Sequence, residues 1–218
     1  MLINTTKKLI GSAGLIDCAV EWPEHKILGW ALILHPHPLH GGSRNNKVIT
    51  TISRECLRQG IVAIRPNFRG VGDSGGFFDN GVGETNDMSI LMQQIIDIYP
   101  ELYELPCFLA GFSFGSAVAA QLYSRLYDEE RSCNIKCLML IGSAVQRFQF
   151  SEIHLPEKTI IIHGETDEVV PFNEMLDWAR PKSIPIIMIP SCSHFFHGKL
   201  LLLREMVSIY LKSSIISY

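Results

Sequence analysis

Short continuous apolar runs alternate along this chain with longer stretches in which apolar residues recur every three to four positions. The runs are GLIDCAVEW, ILGWALILH (27–35), IVAIR (61–65), PCFLAGF (106–112), IKCLMLIG (135–142), KTIIIHG (158–164) and IPIIMIP (184–190). A half-wet strand alternates apolar with polar, so a run that is apolar throughout predicts a strand covered on both faces, as in a parallel sheet. The stretches between predict helices at 45–59, 84–99, 114–127, 172–180 and 198–212. Gly60 stands where a helix-terminating glycine belongs. Thr85 is the candidate cap of the second helix, ahead of Ile90, Leu91, Ile95 and Ile98 at helical spacing. The β, α, β, α rhythm predicts an α/β fold: a doubly wound, mostly parallel sheet flanked by helices on both faces, with antiparallel strands only near the N-terminus. No repeat, low-complexity tract or linker interrupts it, so 1–218 is expected to form a single domain.

Composition supports a well-filled interior. A chain of 218 residues can bury roughly 70% of the surface that its unfolded form exposes, and 47% of its residues are apolar. The net charge of -3 carries no long run of one sign, which argues against nucleic acid as a partner. The cysteines (Cys18, Cys56, Cys107, Cys133, Cys137, Cys192) are scattered, several within apolar runs. That pattern predicts buried, reduced thiols in a cytoplasmic protein. Lys7 and Lys8 precede LIGSAGLIDCAV, but Gly, Ser and Asp17 break what would be a signal-like apolar stretch. Nothing approaches the roughly 20 apolar residues of a spanning helix, so no membrane partner is expected; monomer and homodimer both remain open.

Ligands of such sheets bind beyond the carboxyl ends of the strands. The segments there are HPHPLHGG (35–42), NFRGVGDSGG (67–76), GFSFGS (111–116), HGETDEVVP (163–171) and SCSHFFHG (191–198). Strand 106–112 runs directly into Gly111-Phe112-Ser113-Phe114-Gly115 and then the helix-forming AVAAQLYSRLY. This is G-x-S-x-G in the strand, turn, helix setting of a nucleophile elbow, where the glycines allow backbone to pass close and the serine is held in a strained turn. A serine hydroxyl needs a base within reach and an acid to orient that base, following it in the order acid, histidine. Glu165, Asp167 and Glu168 lie beyond one later strand, and His194 and His197 beyond the last.

Two other motifs compete. His35, His37 and His40 have the H-x-H-x-x-H spacing of a metal site, but Leu39 stands where the related H-x-H-x-D-H pattern needs a carboxylate. Gly70, Gly72 and Gly75 match G-x-G-x-x-G, yet GFFDNGVG follows rather than a helix, and Asp97 falls inside a predicted helix. The expectation is a tight glycine turn with Arg69 anchoring neighbouring loops, and neither metal nor cofactor.

Through HPHPLHGG, NFRGVGDSGG, DNGVGE, AGFSFGS, HGETDEVVP and SHFFHG the chain resembles α/β-hydrolase fold serine hydrolases, closest to a small bacterial group of lidless, dienelactone-hydrolase-like members. The resemblance implies Ser113 as nucleophile, Asp167 (in G-x-x-D-x-x-V-P) as triad acid and His194 as base. Dienelactone hydrolase itself has cysteine at the elbow, so its substrate does not carry over. An oxyanion hole would combine the N–H of Phe114 with one from the 35–42 loop. Pro36 and Pro38 have no N–H, leaving His37 first and Leu39 second. Residues 143–157 are too few for a lid domain, which implies an open site where Leu39, Phe112, Val145, Phe148 and Phe195, with Phe114 and Phe150, are candidates for contact with a small-molecule acyl substrate. The expected activity is hydrolysis of small carboxylic esters or thioesters through an acyl-enzyme. The competing readings are a non-catalytic scaffold that binds a ligand or partner, and a metal-dependent hydrolase using His35, His37 and His40. His163 and Cys192 are expected to be structural.

Overall fold

The computed structural model describes residues 4–131 and 134–215. Eight strands form one sheet: β1 (Asn4–Gly11), β2 (Gly14–Glu21), β3 (Gly29–Leu34), β4 (Ile61–Pro66), β5 (Cys107–Phe112), β6 (Ile135–Ile141), β7 (Thr159–Gly164) and β8 (Ile186–Ile189), in the order β1-β2-β4-β3-β5-β6-β7-β8. From β3 through β8 the strands run parallel, while β2 is antiparallel to β4 and to β1. Antiparallel pairing is therefore confined to the N-terminal edge, as the sequence predicts.

Helices α1 (Lys47–Arg58), α2 (Val82–Ile98), α3 (Phe114–Asp128), α4 (Val145–Phe148), α5 (Phe172–Ala179) and α6 (Leu200–Ile215) cover both faces. Successive residues of a strand point to opposite sides, and here both sides are apolar. Ala31, Ile33, Ala63, Phe108, Ala110, Met139, Ile141 and Ile162 join Val48, Ile49 and Ile52 of α1 and Leu203, Val207 and Leu211 of α6 in one core. Trp30, Leu32, Leu34, Val62, Ile64, Leu109, Leu138, Leu140 and Ile161 join α2, α3 and α5 in the other. The unbroken apolar runs are the sequence trace of this two-sided burial.

Two details differ from the sequence expectation. The polar stretch NTTKKLIG forms β1, an edge strand whose backbone pairing with β2 is closed by a turn at Gly14, φ +119°. The second helix begins earlier than Thr85: Gly81 takes φ +95°, and the Glu84 carboxylate accepts from the N–H groups of Gly81 at 2.8 Å and Asp79 at 2.9 Å. Glu84 is thus the cap, and the Thr85 hydroxyl is buried without a partner among the described residues. Between β6 and β7 the chain carries only the single turn α4, so no cap domain covers the strand ends. Cys18, Cys56, Cys137 and Cys192 are free and buried, and Cys107 is buried as well; Cys133, and with it any pairing with Cys137, lies outside the described residues. Among those residues no helix is long and apolar enough to cross a membrane.

Candidate active site

The elbow is built by backbone crowding. A β-carbon at Gly111 would lie 2.1 Å from Gly115 O, far inside contact distance, so only glycine allows the chain to turn from β5 into α3. Ser113 occupies the turn at φ 54°, ψ -120°, a region that L-residues avoid and that marks stored strain. Its N–H still donates to Ile141 O at 2.8 Å, holding the turn to the end of β6. Phe114 opens α3, so its N–H is among the first-turn donors that no helical carbonyl can satisfy. The Ser113 hydroxyl is bonded to no other described residue.

The turns after β7 and β8 are stitched together. Glu165 N–H donates to Ile189 O at 3.0 Å, Thr166 N–H to Cys192 O at 3.1 Å, and Ser191 N–H to the Glu165 carboxylate at 2.8 Å. This brings His194 Nδ1 to 2.7 Å from Asp167 Oδ2. The other Asp167 oxygen accepts from Val169 N–H at 2.9 Å and Val170 N–H at 2.7 Å. Burial opposes the ionised form, but the His194 hydrogen bond and charge, with the Val170 N–H, hold the Asp167 carboxyl below its usual range. Glu165 and Glu168 are exposed and cap backbone, Glu168 accepting from His194 N–H at 3.3 Å. His197 is exposed too, its ring 6.0 Å from that of Phe195.

The His194 ring lies over the elbow: its centroid is 4.9 Å from that of Phe112, the residue before Ser113. No hydrogen bond joins Ser113 to His194 here. Hydrogen bonds of this kind tighten when substrate is bound.

The 35–42 loop does not gather its histidines around one point. His35 is wholly buried, with Nδ1 donating to Pro36 O at 2.7 Å and Nε2 accepting from Phe68 N–H at 2.9 Å, so both ring nitrogens are engaged by backbone. Burial pushes its pKa down to about 4. His37 and His40 stack with centroids 4.3 Å apart. Among the described residues no group of three or more His, Cys, Asp or Glu side chains is placed to hold a metal ion; the three-histidine ligand set is therefore not assembled, because His35 faces the core. Leu39 N–H donates to His37 Nδ1 at 3.2 Å, which occupies the second candidate oxyanion donor and leaves the His37 N–H unbonded among described residues.

The apolar candidates divide. Phe112 and Val145 are buried in opposite cores, so the expectation that they line an open surface is corrected: Phe112 is a floor beneath His194 and Val145 backs the loop that follows β6. Leu39 is 69% exposed and Phe195 39% exposed. Phe148 is half-buried, its ring 4.9 Å from Phe114 and 5.6 Å from His37. The Cys192 thiol is raised by burial and points to Ser193 O, which suits packing.

Sequence reasoning missed the network that holds the far end of the 35–42 loop. The Arg44 guanidinium pairs with Asp17, the Arg44 N–H donates to Asn67 Oδ1 at 2.9 Å, and Asn67 Nδ2 donates to Asp17 Oδ2 at 3.0 Å. Arg65, paired with Glu21 at 2.8 Å, donates to the Arg44 carbonyl. Arg69 anchors as expected, donating to Asp87 at 2.8 Å, Gly83 O at 2.9 Å and Ser12 at 3.0 Å.

No protein-family model matches the chain. It is 32% identical over 177 residues to uncharacterized protein RP471 of Rickettsia prowazekii (strain Madrid E), covering 78% of this chain and 72% of that one. Among solved structures it is similar to XC6422 from Xanthomonas campestris, described as an α/β serine hydrolase without lid, at 31% identity and TM-score 0.88 over 99% of this chain and 96% of that one. An α/β serine hydrolase homologue from Coxiella burnetii gives 32% identity and TM-score 0.85 over 97% and 99%.

Proposed function

The chain belongs to the lidless α/β serine hydrolases, and from that premise we propose that it cleaves small carboxylic esters or thioesters through an acyl-enzyme on Ser113. His194 Nε2 takes the Ser113 proton as Oγ attacks the carbonyl carbon. The N–H groups of Phe114 and His37 hold the oxyanion, and His194 returns the proton to the leaving oxygen or sulfur. Water then attacks the acyl carbon with His194 again as base, releasing the acid and restoring Ser113. Asp167 fixes the imidazole with its proton on Nδ1 and stabilises the cation that forms.

The observation that carries this reading is the strained Ser113 turn with an unbonded hydroxyl, beside an imidazole already held by a buried carboxylate at 2.7 Å. Exposed Leu39, Phe150 and Phe195, with half-buried Phe148, supply apolar surface around it. With no cap domain to enclose a long chain, that surface favours short acyl groups. A p-nitrophenyl ester series from acetate to octanoate tests the proposal. Turnover highest at the short end, and lowered at least roughly 10³-fold by Ser113→Ala, is expected. Wild-type protein that turns over no ester or thioester would favour the ligand-binding scaffold instead.

A further inference from the structure

Asp167 faces two imidazoles. His163, next to last in β7, is wholly buried. Its Nε2 lies 2.8 Å from Val170 O and 3.3 Å from Asp167 Oδ2, the oxygen that also accepts from His194. Its Nδ1 is buried with no partner among the described residues. A carbonyl oxygen only accepts, so the contact with Val170 puts the proton on Nε2. That N–H is bonded to the carbonyl, and the carboxylate oxygen lies 3.3 Å from the same nitrogen. A second proton on Nδ1 would be a buried donor with no acceptor; burial indeed lowers the pKa of His163, against the pull of Val170 and Asp167. The ring is thus a neutral donor. Val170 is gripped twice, its N–H by Asp167 Oδ1 and its carbonyl by His163, which closes a ring of contacts around the carboxylate.

We infer that His163 is a positioning residue for the proposed reaction: its Nε2–H, anchored on Val170 O and 3.3 Å from Asp167 Oδ2, limits the rotation of the carboxylate and draws charge from the oxygen that bonds His194. The inference rests on the serine-hydrolase reading of the site. A donor on Oδ2 makes the carboxylate a weaker partner for the His194 imidazolium. Removing it holds the proton on His194 more firmly, so the acid limb of kcat/KM moves to higher pH. The other charged groups that face this pair are Glu174 of α5 and Arg147 of α4, bonded to each other at 2.7 and 2.6 Å, and Glu168, bonded to the His194 N–H. None of them is altered in the test.

The experiment compares His163→Phe, which keeps a ring and loses the donor, with His163→Gln, whose amide N–H reaches the Nε2 position. His163→Phe is expected to lower kcat roughly ten-fold, the loss that one hydrogen bond to a charged group accounts for, and to shift the acid limb upward by about half a pH unit. His163→Gln is expected to recover most of both. An unmoved limb in folded His163→Phe, or equal losses in the two variants, would overturn the inference. Nitrogen NMR of the wild-type protein gives a readout independent of folding of the variants: neutral Nε2–H His163 at pH 7 is expected, and an Nδ1–H form or a doubly protonated ring there contradicts it. Absence of any hydrolysis by wild type would instead sink the reaction, while the tautomer measurement would still decide the contact.

Discussion

Gly115 lies against the end of β3 so closely that a β-carbon there would stand 2.3 Å from Leu34 O and 2.6 Å from His35 O. The contact ties the elbow to the strand that launches the 35–42 loop, and so sets the height of Ser113 relative to the His37 N–H. Gly115→Ala must push backbone away from backbone. It is expected to destabilise the protein by about 2–3 kcal/mol in urea unfolding, with the proposed hydrolase activity falling further than the unfolded fraction explains. An unchanged denaturation midpoint would show that the crowding is not real.

His35 ties acid sensitivity to the same loop. Its pKa falls from the ordinary 6.5 to about 4 on folding. Above pH 6.5 both states are neutral and its contribution is fully present; between there and about pH 4 the unfolded chain takes up a proton that the folded chain refuses, and stability is lost. The size is on the order of 3 kcal/mol. His163, also depressed by burial, acts in the same direction just below its ordinary range. Thermal unfolding at pH 7 and pH 4.5 should therefore show a drop in Tm that is smaller in His35→Gln; equal drops would refute the assignment.

Asp167→Asn replaces an acceptor beside His194 Nδ1 with an amide that can present N–H instead. The imidazole then settles with its proton on the wrong nitrogen, and kcat is expected to fall roughly 10³- to 10⁴-fold while the circular dichroism spectrum is unchanged. A loss below ten-fold would mean that Asp167 does not orient the base.

The strands were legible because two-sided burial leaves continuous apolar runs, and the elbow because Gly111, Ser113 and Gly115 each answer a steric demand of one turn. Other features depend on contacts through space. β1 is a largely polar edge strand whose pairing is carried by backbone, and of its described side chains only Leu9 enters the core, so NTTKKLIG carries little hydrophobic signal. The cap on α2 comes from Glu84 because Gly81 adopts positive φ, and Thr85 only looks like a cap. Phe112 and Val145 carry the same apolar character as Phe195, and sequence does not separate a residue that backs a site from one that lines it. Asp17 and Arg44 lie 27 residues apart, with no motif joining them.

That pair yields a prediction of its own. Both side chains are largely buried, Arg44 at 16% and Asp17 at 9% exposure, and removing one partner leaves the other charge uncompensated. Arg44→Met and Asp17→Asn are each expected to cost about 3 kcal/mol and to lower kcat/KM by loosening the 35–42 loop, whereas the double variant should regain much of the stability. Additive losses in the double variant would show that the two do not interact.

The most direct measurement is fluorophosphonate labelling followed by mass spectrometry of the proteolysed protein. A single phosphonyl adduct on the peptide carrying Ser113, absent in Ser113→Ala and strongly slowed in His194→Ala, is the predicted result. A protein that resists the probe, or an adduct that survives Ser113→Ala, would contradict the assignment of Ser113 as the nucleophile.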